Sequence, residues 1–204
     1  MKYLNYVPQH KYPWLPVLYS LVISFRPKKI VEYGTALGGT AITMGLALKE
    51  LKELEDHKGH IYTYDTFEVQ SKGEIGSSPN YQAAMSNIDT YYPNIREFVT
   101  VDRGDFFKFN EDESKSFDLL YFDIDNDGDK LIEMYKGCER LIQEGSVVVF
   151  EGGSQIRDDV EWMVSLNKTK MNSIKHVVPY QLLTPNQKYS CSILYNPNIY
   201  QLSL

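Results

Sequence analysis

Apolar runs of strand length alternate along the chain with stretches whose apolar residues recur every three or four positions. This is the pattern of βαβ units that feed a mostly parallel sheet. Five runs rich in β-branched and aromatic residues read as strands: Lys29–Tyr33, His60–Tyr64, Glu97–Val101, Phe117–Phe122 and Ser146–Phe150. Two more, Ile174–Val178 and Tyr189–Tyr195, can pair antiparallel across the turn Thr184-Pro185-Asn186. Between the first two strands Met44, Ala47, Leu48, Leu51 and Leu54 fall on one helical face, and Gly59 offers a C-terminal stop. Leu131, Tyr135, Cys138, Leu141 and Ile142 repeat the pattern ahead of Gly145. Ser78 and Pro79 suit the N-cap and first position of a helix running to about Tyr91, which leaves Glu68–Ser77 as a connection. Tyr12–Phe25 is expected to form an added N-terminal helix.

At 204 residues and 43% hydrophobic content the chain can bury one sizeable core, so one domain over residues 1–204 is expected, with residues 1–28 a helical extension, 29–196 the core and 197–204 a tail. A net charge of −6 argues against gripping nucleic acid through its phosphates and favours a small-molecule substrate. The two cysteines, Cys138 and Cys191, form no CxxC and lie near no metal-spaced His, which fits a reducing cytoplasm. The apolar stretch Trp14–Phe25 is too short for a bilayer and is interrupted by Pro16 and Ser20, and no charged leader precedes it, so no membrane association is expected.

The strongest chemical signal is Val31-Glu32-Tyr33-Gly34-Thr35-Ala36-Leu37-Gly38-Gly39-Thr40, a buried strand ending in a glycine loop that runs into an amphipathic helix. Glycines admit backbone angles and contacts that a Cβ blocks, and the helix start presents unpaired N–H donors. Taken alone, such a loop can also be a tight turn with no ligand. Its spacing is GxxxGG, not the GxGxxG of pyrophosphate sites. Asp65, after the second strand, offers two acceptor oxygens to a ribose, or serves as a turn former. Asp102-Arg103-Gly104-Asp105-Phe106 follows the third strand.

Glu32-x-Gly34-x-x-x-Gly38 resembles the first motif of class I S-adenosylmethionine-dependent methyltransferases. The resemblance implies a Rossmann-like three-layer α/β/α sandwich with a mostly parallel seven-stranded sheet and an antiparallel last strand. It implies that Glu32, Gly34, Thr35, Gly38, Gly39 and Thr40 lie at the methionine part of the cofactor. Asp65 would serve the ribose and Gly104, Asp105 and Phe106 the adenine, where Phe67 can also stack, with Thr66 a further cofactor-binding candidate. Three strand ends supplying such residues in family order are hard to obtain by accident.

The fourth strand ends in Asp123-Ile124-Asp125-Asn126-Asp127-Gly128-Asp129, which opens like a calcium loop. Its twelfth position falls on Met134, with Glu133 one residue early, and a strand precedes it where a helix should. Asp127 and Asp129 are better explained as acids at the start of the next helix. The resemblance instead places Asp123 facing the sulfonium. Within the family the motifs are similar to the small bacterial O-methyltransferase branch. Its metal-dependent members hold magnesium or calcium with an Asp at the fourth strand and an Asp-Asn pair after the fifth, and use a nearby Lys as base. Here Glu151-Gly152 replaces that pair and Asn126 stands in place of the Lys. Asp123 and Glu151 can still share Mg²⁺ or Ca²⁺, or Glu151 can be a structural or substrate-binding carboxylate.

Methyl transfer is an in-line displacement governed mainly by positioning, and a hydroxyl acceptor must also lose a proton. Asp123, Asp125 and Glu151 are the catalytic candidates, and His176 near Tyr180 is a lesser one. Tyr12, Trp14 and Tyr81 are expected to line the substrate's entry under a lid made by the N-terminal helix and Glu68–Ser77. No GxSxG elbow supports acyl transfer. A non-catalytic cofactor-binding protein and another small-molecule transferase on the same scaffold remain open readings, and a homodimer is compatible with all of them.

Overall fold

Among the described residues six of the expected seven strands, mostly parallel with an antiparallel last one, and the helices around them make a mixed α/β, Rossmann-like fold. The structure, a computed structural model, describes residues 14–67, 81–105, 116–174 and 190–195. The sequence readings at Tyr12, Glu68–Ser77, Ser78-Pro79, Phe106, His176, Tyr180 and the turn at Thr184 lie outside those residues. Chain contacts group the protein into two compact units, built mainly from Leu15–Lys108 and from Phe109–Leu204.

In the first unit α1 (Leu15–Phe25) buries Leu15, Leu18, Tyr19 and Val22. β1 (Lys29–Tyr33) then leads into α2 (Gly39–Glu55) and β2 (His60–Asp65). α3 (Tyr81–Ser86) continues as a wide turn over Asn87–Tyr91 and a tight turn over Pro93–Phe98, and β3 (Val99–Arg103) follows. The strand order is β3-β2-β1, all parallel, with Tyr33 opposite Tyr64 and Asp65 opposite Arg103. That register brings the three strand ends level. Gly34 N–H donates to Tyr64 O at 2.9 Å, and Gly104 N–H donates to Asp65 O at 2.9 Å.

Three sequence expectations are corrected in this unit. β3 begins at Val99 rather than Glu97, because Pro93 starts a helical turn that consumes the chain through Phe98. Leu54 leaves the apolar face of α2 and is 72% exposed. The stop of α2 is Asp56, left-handed at φ 53°, whose N–H closes onto Leu51 and Lys52 carbonyls. Gly59 serves packing: a Cβ there would lie 2.5 Å from Leu48 Cδ2 and 2.7 Å from Pro27 O.

In the second unit the order is β4 (Phe117–Phe122), β5 (Ile142–Glu151), β6 (Cys191–Tyr195). β4 and β5 are parallel and β6 runs antiparallel to β5. Leu119–Phe122 and Val147–Phe150 are all fully buried, as a strand covered on both faces requires. α4 (Gly128–Cys138) joins the first two strands. Ile142 was expected on this helix's apolar face but opens β5, because a tight turn over Glu139–Leu141 ends the helix early. β5 is longer than the expected Ser146–Phe150, and its pairing with β4 shifts register after Phe117, near Gly145 with φ 86°. Short helices α5 (Gln155–Asp158) and α6 (Glu161–Ser165) follow. Ile174, expected to start a strand, sits in a bend after the turn Met171–Ser173; the rest of that strand lies outside the described residues. Among the described residues no helix is long and apolar enough to cross a membrane.

Candidate active site

The loop after β1 turns through three left-handed residues, Gly34 (φ 102°), Ala36 (φ 47°) and Gly38 (φ 84°). Glycine adopts these angles freely, whereas alanine costs roughly 1–2 kcal/mol there. Ala36 is held by a specific bond, its N–H donating to Asp65 Oδ2 at 2.8 Å. The other oxygen, Oδ1, accepts from Phe67 N–H at 2.7 Å, and Phe67 is also left-handed at φ 55°. Asp65 therefore staples the glycine loop to its own turn. Each carboxylate oxygen has a second lone pair, so the staple leaves capacity for a ligand hydroxyl. Gly38, the N-cap of α2, makes no side-chain bond to the helix's first N–H donors.

Beneath the loop lies Glu32, fully buried on β1. Thr40, in the first turn of α2, donates its hydroxyl to Glu32 Oε1, and Thr63 on β2 donates to Oε2 at 2.5 Å. With the single Thr63 proton committed, Thr35 Oγ1 must be the donor across its 2.6 Å contact to Thr63 Oγ1. One carboxylate thus braces β1, β2, α2 and the loop. Sequence reading had singled out Glu32, Thr35 and Thr40, but it missed Thr63, whose only signal is a polar residue inside a buried strand. Gly39 opens α2, and its carbonyl accepts from Thr43 at 2.9 Å. Thr66 and Phe67 follow Asp65, and Phe67 meets Tyr81 edge-on with centroids 5.5 Å apart. Gly104 is tied to Asp65 as above, and Asp105 is exposed beside it.

In the second unit Asp123 leaves the end of β4. Its Oδ1 accepts from Asn126 Nδ2 at 2.8 Å and its Oδ2 from the Tyr121 hydroxyl at 3.2 Å. The Tyr121 oxygen in turn accepts from Trp14 Nε1 at 3.0 Å. Burial, and then the Asp123 charge, raise the Tyr121 phenol well above its usual range, so it is a permanent donor. Trp14 is therefore not a wall residue: it is fully buried and engaged. Asn126, in the position where a catalytic Lys was sought, braces Asp123. Asp125 and Asn126 are left-handed, at φ 58° and 45°.

The other acids of the run have structural work, as expected for helix-starting acids. Asp127 caps α4, accepting from Lys130 N–H at 2.8 Å, and pairs with Lys168 at 3.0 Å. Asp129 accepts from Thr169 Oγ1 at 2.5 Å and Thr169 N–H at 3.2 Å, which pull it below the usual carboxylate range.

Glu151 ends β5 and is 4% exposed. Arg157, on α5, addresses both its oxygens, Nε to Oε1 at 3.3 Å and Nη2 to Oε2 at 3.4 Å, and its guanidinium lies 5.4 Å from the Trp162 ring centroid. Burial first, then the Asp123 charge, push the Glu151 carboxyl up to about 7 against the pull of Arg157. Burial, with the Glu151 and Asp123 charges, pushes the Cys191 thiol up to about 12. Arg157 was missed by sequence reading: a lone Arg six residues past a strand end carries no motif. Among the described residues no group of three or more His, Cys, Asp or Glu side chains could hold a metal ion.

A family model described as a methyltransferase domain matches residues 31–151, from within β1 to the end of β5. No curated protein sequence matches the chain. Among solved structures it is similar to the O-methyltransferase from Bacillus cereus in complex with SAH, at TM-score 0.60 and 17% identity, covering 95% of this chain and 89% of that one. It is likewise similar to the O-methyltransferase TomG from Streptomyces achromogenes in complex with SAM, at TM-score 0.59 and 16% identity, covering 90% and 80%. The SAH-bound methyltransferase PaMTH1 from Podospora anserina gives TM-score 0.59 and 14% identity, covering 95% and 86%. At these identities the structures share the fold. The match over residues 31–151 shows more: the chain belongs to the methyltransferase-domain family.

Proposed function

We propose that this protein transfers the methyl group of S-adenosylmethionine to a hydroxyl oxygen of a small molecule. The observation that carries the proposal is the level set of strand ends in the first unit: a left-handed glycine loop at a helix start whose N-cap is glycine, pinned by Asp65 and followed on the next strand by Gly104. Family membership and the SAM- and SAH-bound relatives support the nucleoside. When bound, S-adenosylmethionine would supply an activated methyl on a sulfonium, with the neutral thioether as the leaving group once an oxygen nucleophile takes the methyl.

The chain's own residues then have these roles. Gly34, Thr35, Gly38, Gly39 and Thr40 present backbone to the methionine part, and the buried Glu32 holds them rigid through its threonines. Asp65 accepts from ribose hydroxyls with its remaining lone pairs, while Thr66, Phe67, Gly104 and Asp105 flank the base. In the second unit Glu151 accepts the proton that the acceptor hydroxyl releases. Asp123, fixed by Tyr121 and Asn126, orients the reacting groups. Asp125 is assigned no step. Incubation with S-adenosylmethionine and a panel of hydroxylated acceptors should yield S-adenosylhomocysteine and a methylated product in equal amounts. Cofactor binding with no turnover on any acceptor would favour a non-catalytic binding protein.

A further inference from the structure

We infer that the Arg157 guanidinium occupies the role that a divalent cation plays in the metal-dependent members of the branch, so that methyl transfer here runs without a metal. The inference rests on the methyl-transfer reading above, although the two can fail separately. Three observations in the second unit carry it. First, the positive charge beside the candidate pair is already supplied: the two arms of Arg157 face both Glu151 oxygens, while Asn126 and Tyr121 hold Asp123. A cation sharing Asp123 and Glu151 would have to displace a guanidinium whose charge repels it.

Second, the backbone at the third ligand position disfavours any side chain. The residue after Glu151 is Gly152, left-handed at φ 104°, and a Cβ there would lie 2.8 Å from Met171 Sδ. The atom nearest that position is thus the sulfur of the fully buried Met171, a thioether that a hard cation does not seek. Third, Arg157 is built in. Its N–H donates to Ser154 Oγ at 3.2 Å at the start of α5, its guanidinium lies over Trp162, and its side chain is 14% exposed. Arg157 is a positioning residue: it fixes the Glu151 carboxylate and supplies the fixed positive charge beside the Asp123–Glu151 pair.

The test begins on the protein alone, by counting bound Mn²⁺ by electron paramagnetic resonance at about 1 mM, the weak end of protein cation sites. Wild type and Glu151→Gln are expected to bind equally. A site present in wild type and lost in Glu151→Gln would overturn the inference. S-adenosylhomocysteine formation should then agree within about twofold in EDTA and in added Mg²⁺. Activity abolished by EDTA and restored by Mg²⁺ contradicts it. Arg157→Ala should lower kcat roughly tenfold or more with KM for S-adenosylmethionine unchanged, and free guanidinium should recover part of the loss. Full turnover in Arg157→Ala would also refute it. Should that variant fail to fold, the Mn²⁺ comparison and the EDTA measurement decide. Calorimetry with S-adenosylhomocysteine checks the underlying reading independently, since absent binding there sinks the methyl-transfer proposal whatever the metal count.

Discussion

Asp65→Ala removes two bonds at once, and the structure sets the size of the effect. The carboxylate accepts from Ala36 N–H at 2.8 Å and from Phe67 N–H at 2.7 Å, both backbone donors on left-handed residues. Hydrogen bonds to a charged group contribute about 1.5–3 kcal/mol each, so the gross loss is roughly 3–6 kcal/mol. Asp65 is half-buried, and water re-solvates much of what the substitution exposes, which brings the expected loss of stability to about 2 kcal/mol. With the glycine loop released, affinity for S-adenosylhomocysteine should fall by about 1–3 kcal/mol, roughly five- to 150-fold in Kd. Asp65→Asn keeps one acceptor oxygen and should lie between alanine and wild type. Denaturant unfolding gives the stability term and calorimetric titration the affinity. A folded Asp65→Ala protein with wild-type stability and wild-type affinity would refute both the staple and the cofactor role.

Tyr121→Phe strands the buried Trp14 N–H and takes a donor from Asp123, so thermal unfolding should show a loss of about 1–3 kcal/mol; an unchanged midpoint would deny the chain of bonds. Asp56→Gly relieves a left-handed residue and removes a negative charge from the C-terminal end of α2, partly offset by glycine's flexibility, so denaturant unfolding should show a gain of about 0.5–1 kcal/mol. Glu151 has its folded pKa raised from 4.5 to about 7, so the native state binds the extra proton between those values. Its contribution to stability is fully present below pH 4.5 and is lost as pH rises through about 7. Melting curves of Glu151→Gln against wild type should therefore converge at low pH, relative to one another, and separate in the variant's favour above neutrality; parallel profiles would contradict the shift.

β1 and β4 were readable to the residue because each is a short run dominated by aliphatic and aromatic residues, and burial rewards the same residues that strand propensity does. Boundaries failed where local and tertiary signals compete. Pro93 permits a helical turn that shortens β3, and Ile142 satisfies a helical face equally well as it starts a strand. Gly59 has the composition of a helix stop, yet it is glycine because Leu48 and Pro27 crowd it. At the site, Glu32, Gly34 and Asp65 stood out through their place after strands. Thr63 and Arg157 did not, because their meaning lies in partners 31 and six residues away that only the fold brings near. The acidic run after β4 shows the opposite difficulty: its spacing imitates a cation loop, while Lys168 and Thr169, far downstream, are what Asp127 and Asp129 serve.

Methyl transfer by this protein requires that the strand ends of the first unit take up a sulfonium nucleoside. Calorimetric titration of the full chain with S-adenosylhomocysteine near neutral pH measures this directly. A saturable one-to-one heat, competed away by S-adenosylmethionine, is the expected result; a folded protein that yields no heat with either compound would contradict it.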